Sequence, residues 1–147
     1  MTPVYTFYKN RYGKNLILDE GLLGSFKDMQ AGLSVSGIDI EMTDAFRGQE
    51  AQNDDKAKGN SNAAWGSSPH NYGVAFDCAP IVNGTLCWPP KSDPIWQTIS
   101  EVGKGLGLTW GGDFHSICDL PHFELTGWAK MGLKLGNTDG TPSSSTT

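Results

Sequence analysis

Residues 68–77 read Ser68-Pro-His70-Asn-Tyr-Gly73-Val-Ala75-Phe-Asp77, and residues 119–124 read Asp119-Leu-Pro-His122-Phe-Glu124. Together the two stretches offer a set of metal ligands, namely His70, Asp77 and His122. Two imidazoles and one carboxylate suit Zn²⁺ and leave a fourth coordination position open for water. An open position is typical of a catalytic zinc site and not of a structural one. The same donors also accept other divalent transition metals, because affinity order alone does not exclude them.

A further carboxylate stands near the last of these ligands. Asp119 precedes His122 by three residues, and we interpret it as a general base that takes a proton from the water. Pro121 lies between them and stiffens their relative placement. If residues 122–125 form a strand, His122 and Glu124 share one face. Glu124 is then a candidate for holding a ligand or a substrate amine.

Three stretches predict helices. In the first, apolar residues recur at steps of three and four, as in an amphipathic helix. Its members are Leu18, Leu22, Phe26, Met29 and Leu33. The polar stretch 48–58 predicts a solvated helix. Asp93 and Pro94 suit the N-cap and first position of a third helix, and Gly107 suits its C-cap. The apolar stripe of that helix comprises Ile95, Ile99, Val102 and Leu106.

Alternating residues predict strands from Ile38 to near Phe46-Arg47 and at 74–79, 108–110 and 122–125. In the second strand, Asp77 shares a face with Ala75 and is opposite the apolar side chains, and Gly73 allows a bend just before it. These elements predict an α+β fold, with a small antiparallel sheet, helices packed on one side and the zinc site on the open face. We expect one catalytic domain over residues 1–136 and a disordered polar tail over 137–147.

Composition limits the partners and the redox chemistry. The net charge is −5 with no dense basic run, which argues against nucleic acid and anionic membranes as partners. Cys78, Cys87 and Cys118 are odd in number and lack CxxC spacing, so we expect buried, inert thiols. A thiolate ligand and a Cys78–Cys87 bridge remain as alternatives. His115 is interpreted as a surface residue.

Four motifs together resemble the M15-type zinc peptidases, which include D-Ala-D-Ala carboxypeptidases of vancomycin resistance. The Ser68-x-His70-x-x-Gly73-x-Ala75-x-Asp77 run and the Asp119-x-x-His122 run are similar to the two metal motifs of that family. Asp44-Ala-Phe46-Arg47-x-x-x-x-Gln52 is similar to its Gly-Tyr-Arg-Ser segment with a trailing Gln, and Trp110-Gly-Gly-Asp113-Phe114 to its Trp-Gly-Gly-Asp-Trp run. The four motifs follow the family order.

The resemblance implies roles for particular residues. It implies Zn²⁺ on the three proposed ligands, with Asp119 as the catalytic base. It implies that Arg47 faces the cleft and either polarises the scissile carbonyl or stabilises the oxyanion, for which a permanently charged guanidinium is suited. An ordinary surface ion pair is the alternative for Arg47. Ser68 is a candidate for binding substrate or a ligand, with a local loop hydrogen bond as the alternative. Gln52 is interpreted as structural, and Trp110 as a core residue.

The resemblance also implies a function. It favours a phage endolysin that hydrolyses the L-alanyl-D-glutamate bond of the peptidoglycan stem peptide and lyses the cell wall. The alternatives are a D-Ala-D-Ala carboxypeptidase and a non-catalytic, zinc-containing wall-binding module. The N-terminus lacks the basic and apolar regions of an export signal. We therefore expect a monomer made in the host cytoplasm and released to the periplasm and cell wall by another factor.

Overall fold

Antiparallel strands and helices make up the described chain, which in this computed structural model is residues 2–59, 61, 63–115 and 117–136. In chain order the elements are β1 (Tyr5–Lys9), β2 (Asn15–Asp19), α1 (Glu20–Val35), β3 (Asp39–Asp44), α2 (Gln49–Ala57), β4 (Ala75–Val82), β5 (Thr85–Leu86), α3 (Ile95–Gly105), β6 (Leu108–Trp110) and β7 (His122–Leu125). Short 3-10 helices occupy Pro69–Tyr72, Gly111–Asp113 and Trp128–Lys130. Among the described helices, none combines the length and apolar character that a membrane span requires. The tail predicted over 137–147 lies outside the described residues.

The main sheet is antiparallel, with the strand order β3-β4-β7-β6, and β5 pairs with the end of β4. In the β4–β7 register, Asp77 lies opposite His122 and Phe76 lies opposite Phe123. Because successive side chains in a strand point to opposite faces, the pairing places two predicted ligands on one face and two phenylalanines on the other.

Helices α1 and α3 cover the phenylalanine face. Phe26 of α1 meets Phe76 edge-to-face with ring centroids 5.2 Å apart, and Phe76 stacks on Phe123 at 5.7 Å. All three rings are fully buried. The predicted α+β fold, with helices on one side and the ligands on the open face, is confirmed. The polar helix α2 has Gln52 as its buried residue and contributes to the wall of the open face.

The N-terminal hairpin of β1 and β2 was not predicted. Its strands pair from Tyr5↔Asp19 to Lys9↔Asn15. The prediction that Leu18 begins the first helix is therefore wrong, since Leu18 lies in β2. Helix α1 begins one residue after Asp19, because the Asp19 carboxylate accepts a hydrogen bond from the Leu22 N–H at 3.1 Å. An aspartate in this position is a preferred N-cap.

The buried face of α3 differs from the predicted stripe. Trp96 is 1% exposed, whereas Leu106 is 40% exposed. The indole N–H of Trp96 donates to the carbonyl of Pro89 at 2.8 Å, so the largest side chain is buried with its polar atom satisfied. The predicted ends are nearly correct. Asp93 accepts a hydrogen bond from the Ile95 N–H at 3.0 Å, and Gly107 follows the helix with φ +89°.

Candidate metal centre and active site

The three predicted ligands converge on one point of the open face. His70 Nε2 lies 3.1 Å from His122 Nδ1 and 3.2 Å from Asp77 Oδ1, and His122 Nδ1 lies 3.4 Å from Asp77 Oδ1. Donors bound tetrahedrally at about 2.0–2.1 Å lie about 3.3 Å from one another. The Asp77 Oδ1 atom is buried and accepts no hydrogen bond from the described residues. A divalent ion fits both the spacing and the unsatisfied oxygen.

Hydrogen bonds fix which imidazole nitrogens face this point. His70 Nδ1 lies 2.7 Å from the carbonyl oxygen of Ala45, which can only accept. His122 Nε2 lies 2.7 Å from Glu124 Oε1. Each nitrogen therefore carries the ring proton and donates it, which leaves His70 Nε2 and His122 Nδ1 as lone-pair donors. This is the arrangement in which outer hydrogen bonds orient metal-binding histidines, and it confirms the predicted common face of His122 and Glu124.

Local structure places His70. The Ser68 hydroxyl accepts a hydrogen bond from the His70 N–H at 3.2 Å and caps the short 3-10 helix. Asn71 Oδ1 accepts from the N–H groups of Gly66 and Ser68. Gly73 ends the turn with φ +72°, a left-handed conformation that favours glycine. The predicted bend thus lies between the first two ligands, and Ser68 makes the local bond that was the alternative to substrate binding.

Arg47 lies beside the ligands, but it is largely occupied. Its Nη2 is 2.8 Å from Asp44 and 3.6 Å from Asp77, and its Nε is 2.8 Å from Asp55. Its Nη1 donates to Gln52 at 3.1 Å. Burial alone would lower the pKa of Arg47, but the carboxylates raise it above its ordinary value. The guanidinium therefore stays charged in a site where it is only 9% exposed.

Asp119 is the more exposed acid of the site. Its Oδ2 lies 3.9 Å from His122 Nδ1, and its side chain is 39% exposed. Gly111 allows this approach, since a β-carbon at that position would collide with the Asp119 carbonyl oxygen and the His122 side chain. Burial, followed by the negative charge of Asp77, raises the pKa of Asp119 above its ordinary value. The predicted base therefore lies beside the ligand set with a carboxylate that reaches solvent.

The charges of the ligand residues and their neighbours shift the pKa values of Asp77 and His122. Burial would raise the pKa of Asp77, but His70 and His122 outweigh it and hold that pKa far below its usual range. Burial would lower the pKa of His122, but the neighbouring carboxylates of Asp77 and Glu124 outweigh burial and raise it to about 9. The carboxylates thus favour positive charge at this point, whether a proton on His122 or a divalent cation.

A cleft of about 820 Å³ opens over the ligands and contains every predicted site residue. Sequence reasoning did not predict its apolar wall, which comprises Trp88, Phe114, Ile117 and Trp128. Trp88 is 58% exposed and Ile117 is 38% exposed. The tripeptide Trp88-Pro89-Pro90 is the signal that was available, since prolines fix the backbone beside an aromatic residue.

The cysteines only partly follow the prediction. All three are free, and Cys78 is buried, with a pKa raised above its ordinary value by burial. Cys118 is exposed and Cys87 is half-buried, so the prediction of buried thiols is wrong for these two. Both belong to segments outside the regular core packing, next to cleft residues. His115 is exposed as predicted, and Trp110 is buried as predicted.

Known proteins share these features. A family profile of the M15 peptidases, described as D-alanyl-D-alanine carboxypeptidase, matches residues 61–125. The peptidoglycan L-alanyl-D-glutamate endopeptidase CwlK of Bacillus subtilis (strain 168) is 32% identical over 66% of this chain and 66% of its own length. The chain thus spans slightly less than two thirds of that relative.

Two solved structures share the fold. The L-Ala D-Glu endopeptidase ChiX of Serratia marcescens matches with a TM-score of 0.62 and 20% identity, over 77% of this chain and 84% of that chain. A variant of the vancomycin-resistance D,D-pentapeptidase VanY in complex with Zn(II) matches with a TM-score of 0.60 and 16% identity, over 83% and 79%. At these identities the likeness concerns the fold alone. The matched profile and the sequence relative make the chain similar to the M15 peptidases, and the metal-ligand geometry agrees with that likeness.

Proposed function

We propose that the protein is a zinc-dependent peptidoglycan peptidase that hydrolyses the L-alanyl-D-glutamate bond of the stem peptide. The observation that carries the proposal is the convergence of His70, Asp77 and His122 in an open cleft, with Asp119 beside them. The relation to an L-alanyl-D-glutamate endopeptidase supports the choice of bond.

In this proposal the metal and the protein have separate tasks. Zn²⁺ held by His70, Asp77 and His122 would polarise the scissile carbonyl and lower the pKa of the attacking water. Asp119 accepts a proton from that water on a carboxylate oxygen. It then delivers the proton to the leaving amine nitrogen as the amide C–N bond breaks. Its partial exposure leaves the carboxylate accessible to both water and substrate.

Arg47 and Ser68 are proposed to act on the substrate side. The Arg47 guanidinium is fixed by Asp44 and Asp55, so a positive charge stands next to Asp77 without reorganisation. Such a fixed charge stabilises the negative oxygen that develops on the scissile carbonyl. The Ser68 hydroxyl oxygen accepts from the His70 N–H, and its own proton remains available for a substrate carbonyl.

The proposal includes the biological role of a phage endolysin that acts as a monomer. The protein would be made in the host cytoplasm and reach the cell wall with the help of another factor. Induced expression in a bacterial host, with and without a membrane-permeabilising partner, tests it. Lysis only with the partner is expected, and intact cells in both cultures would contradict it.

A D-Ala-D-Ala carboxypeptidase is the second candidate, and the description of the matched family profile favours it. Such an enzyme must bind the free terminal carboxylate of its substrate. Arg47 is the cationic side chain among the described residues that line the cleft, and it already contacts Asp44, Asp55 and Asp77. Arg47 is already assigned to the scissile carbonyl in the first proposal, and the described lining holds no second Arg or Lys for that terminal carboxylate.

The substitution Asp119→Ala separates an enzyme from a wall-binding module. In an enzyme, the variant still binds one equivalent of zinc but loses about 10²- to 10⁴-fold in turnover of peptidoglycan, as removal of a general base does. Asp113→Ala is the matched control, because Asp113 is exposed and pairs with Lys104 outside the cleft. Equal turnover by Asp119→Ala and the unmodified protein would contradict the proposed base.

A further inference from the structure

Trp88 is the most exposed of the described large apolar side chains that line the cleft. It is 58% exposed, whereas Trp96 and Trp110 are 1% and 2% exposed. Those two indoles also donate hydrogen bonds to backbone carbonyls. Among the described residues, the Trp88 side chain has neither a ring partner nor a hydrogen-bond partner. Trp88 therefore contributes little to the core, and its aromatic face remains available for a ligand.

The backbone on both sides of Trp88 is fixed. The Cys87 N–H donates to the carbonyl of Pro80 at 2.8 Å. Pro89 and the following proline restrict the backbone after it, and the Pro89 carbonyl accepts from the buried Trp96 indole at 2.8 Å. Because the backbone is already held, a ligand that meets this aromatic face has to order only the side-chain torsions of Trp88, which limits the entropy cost of binding.

The charge of the cleft narrows the kind of ligand that Trp88 can meet. Against one guanidinium, the cleft is lined by five carboxylates, which belong to Asp44, Asp55, Asp77, Asp119 and Glu124. Even with a divalent ion bound, negative charge prevails, so a neutral group is accepted there at lower cost than an anionic one. Aromatic faces carry negative potential, which attracts the positively polarised edges of neighbouring groups. The C–H face of a neutral sugar ring meets both conditions.

We propose that Trp88 is a specificity-determining residue that stacks on the sugar ring to which the stem peptide is attached. This inference rests on the proposed function. In peptidoglycan the amine of L-Ala is joined through a lactyl group to the muramyl sugar, so the sugar begins one residue from the L-Ala–D-Glu bond. One extended residue spans about 3.3–3.6 Å, which keeps the sugar near a cleft of about 820 Å³.

The position of the sugar separates the two candidate reactions. A bond at the D-Ala–D-Ala end lies about four residues from the sugar, which corresponds to about 13–14 Å of extended chain. With the sugar bound by Trp88 in the same cleft as the ligand set, the bond after L-Ala reaches the ligands over a shorter length of peptide than the bond at the peptide end. Recognition of the sugar would also direct the enzyme to stem peptides that are still attached to the glycan.

The test compares two substrates that differ only in the sugar. One is an N-acetylmuramyl peptide that begins with L-Ala-D-Glu, and the other is the same peptide with an acetyl group in place of the muramyl group. The unmodified protein is expected to show a kcat/KM about 3- to 10-fold higher on the muramyl peptide, as expected for one aromatic contact. Trp88→Ala is expected to lose this preference through KM, whereas Trp88→Phe retains part of it.

Phe7→Ala is the matched control, because Phe7 is 76% exposed on the hairpin and lies outside the cleft lining. It is expected to keep the preference of the unmodified protein. An unmodified protein that cleaves both peptides equally would overturn the role of Trp88 and leave the proposed function standing. An equal loss on both peptides in Trp88→Ala would also overturn the sugar contact. Failure of the unmodified protein to cleave either peptide would overturn the proposed function and this inference with it.

Discussion

Glu124 is expected to control metal affinity without binding the metal. Its Oε1 accepts a hydrogen bond from His122 Nε2 at 2.7 Å, and the residue is 9% exposed. The bond holds the imidazole in the tautomer and orientation that present Nδ1 to the other ligands. Glu124→Ala removes a charge-assisted bond of this length and lets the ring rotate, while His70, Asp77 and His122 remain present.

The expected loss is a 10- to 100-fold weaker zinc affinity, the usual effect of removing such an outer partner. This range corresponds to about 1.4–2.7 kcal/mol of binding free energy. Glu124→Gln keeps an acceptor for the imidazole but removes the charge, so its loss should be smaller than that of Glu124→Ala. The measurement is competition for zinc against a chromophoric chelator of known affinity.

Glu101→Ala is the control, since Glu101 lies on the exposed side of α3, away from the cleft lining. It should bind zinc as the unmodified protein does. Thermal unfolding of the metal-free variants verifies that each is folded before the titration. If Glu124→Ala binds zinc as tightly as the unmodified protein, the bond to His122 does not organise the centre and the reasoning is refuted.

Three further predictions concern stability. Gln52→Ala removes four side-chain hydrogen bonds of a fully buried residue. It should lower the free energy of unfolding, measured by urea titration, by about 2–4 kcal/mol. The control Asn53→Ala, at an exposed position, should lower it by less than about 0.5 kcal/mol. Gly111→Ala drives a β-carbon into the segment that carries the base and should cost about 1–3 kcal/mol, whereas Gly105→Ala in an open helical position should be neutral or stabilising. Burial and a hydrogen bond to a carboxylate raise the pKa of Tyr8 from 10.0 to about 12. The free energy of unfolding should therefore hold its full value below pH 10 and fall as the pH rises toward 12. Tyr8→Phe should reduce that fall.

Each of these has a contrary outcome. Equal stability of Gln52→Ala and Asn53→Ala would show that the buried amide does not hold the Arg47 region together. A neutral effect of Gly111→Ala would mean that the neighbouring segment shifts at no cost. An alkaline limb that is identical with and without the Tyr8 hydroxyl would assign the loss of stability to other groups.

The convergence of His70, Asp77 and His122 was predictable because the residue types that bind zinc are few and their chemistry is specific. The alternation of β4 and β7 places Asp77 and His122 on one face once the two strands pair. The same alternation gave the contact of Glu124 with His122. Zinc accepts a small set of residue types, so neither conclusion needed knowledge of distant packing.

The sequence could not predict which residues surround Arg47. Its three carboxylate partners, Asp44, Asp55 and Asp77, come from β3, α2 and β4, which the fold brings together. No periodicity within one element reports such a cluster. The motif resemblance placed Arg47 in the cleft, but only the tertiary structure shows that its charge is already offset.

Errors in the elements have local causes. Leu18 continues the four-residue spacing of α1, and this spacing concealed the capping role of Asp19. On α3 the aliphatic stripe drew attention away from Trp96, whose larger apolar area and indole hydrogen bond decide which face is buried. In both cases tertiary packing, and not the spacing of apolar residues alone, decides where the element begins or which face is buried.

Mass spectrometry of the soluble fragments of a peptidoglycan digest tests the central proposal most directly. The zinc-loaded protein is compared with a chelator-treated sample of the same preparation. The proposed function predicts new fragments that begin with D-Glu, and their absence from the chelated sample. Loss of only the terminal D-Ala, or fragments that do not depend on metal, would contradict it.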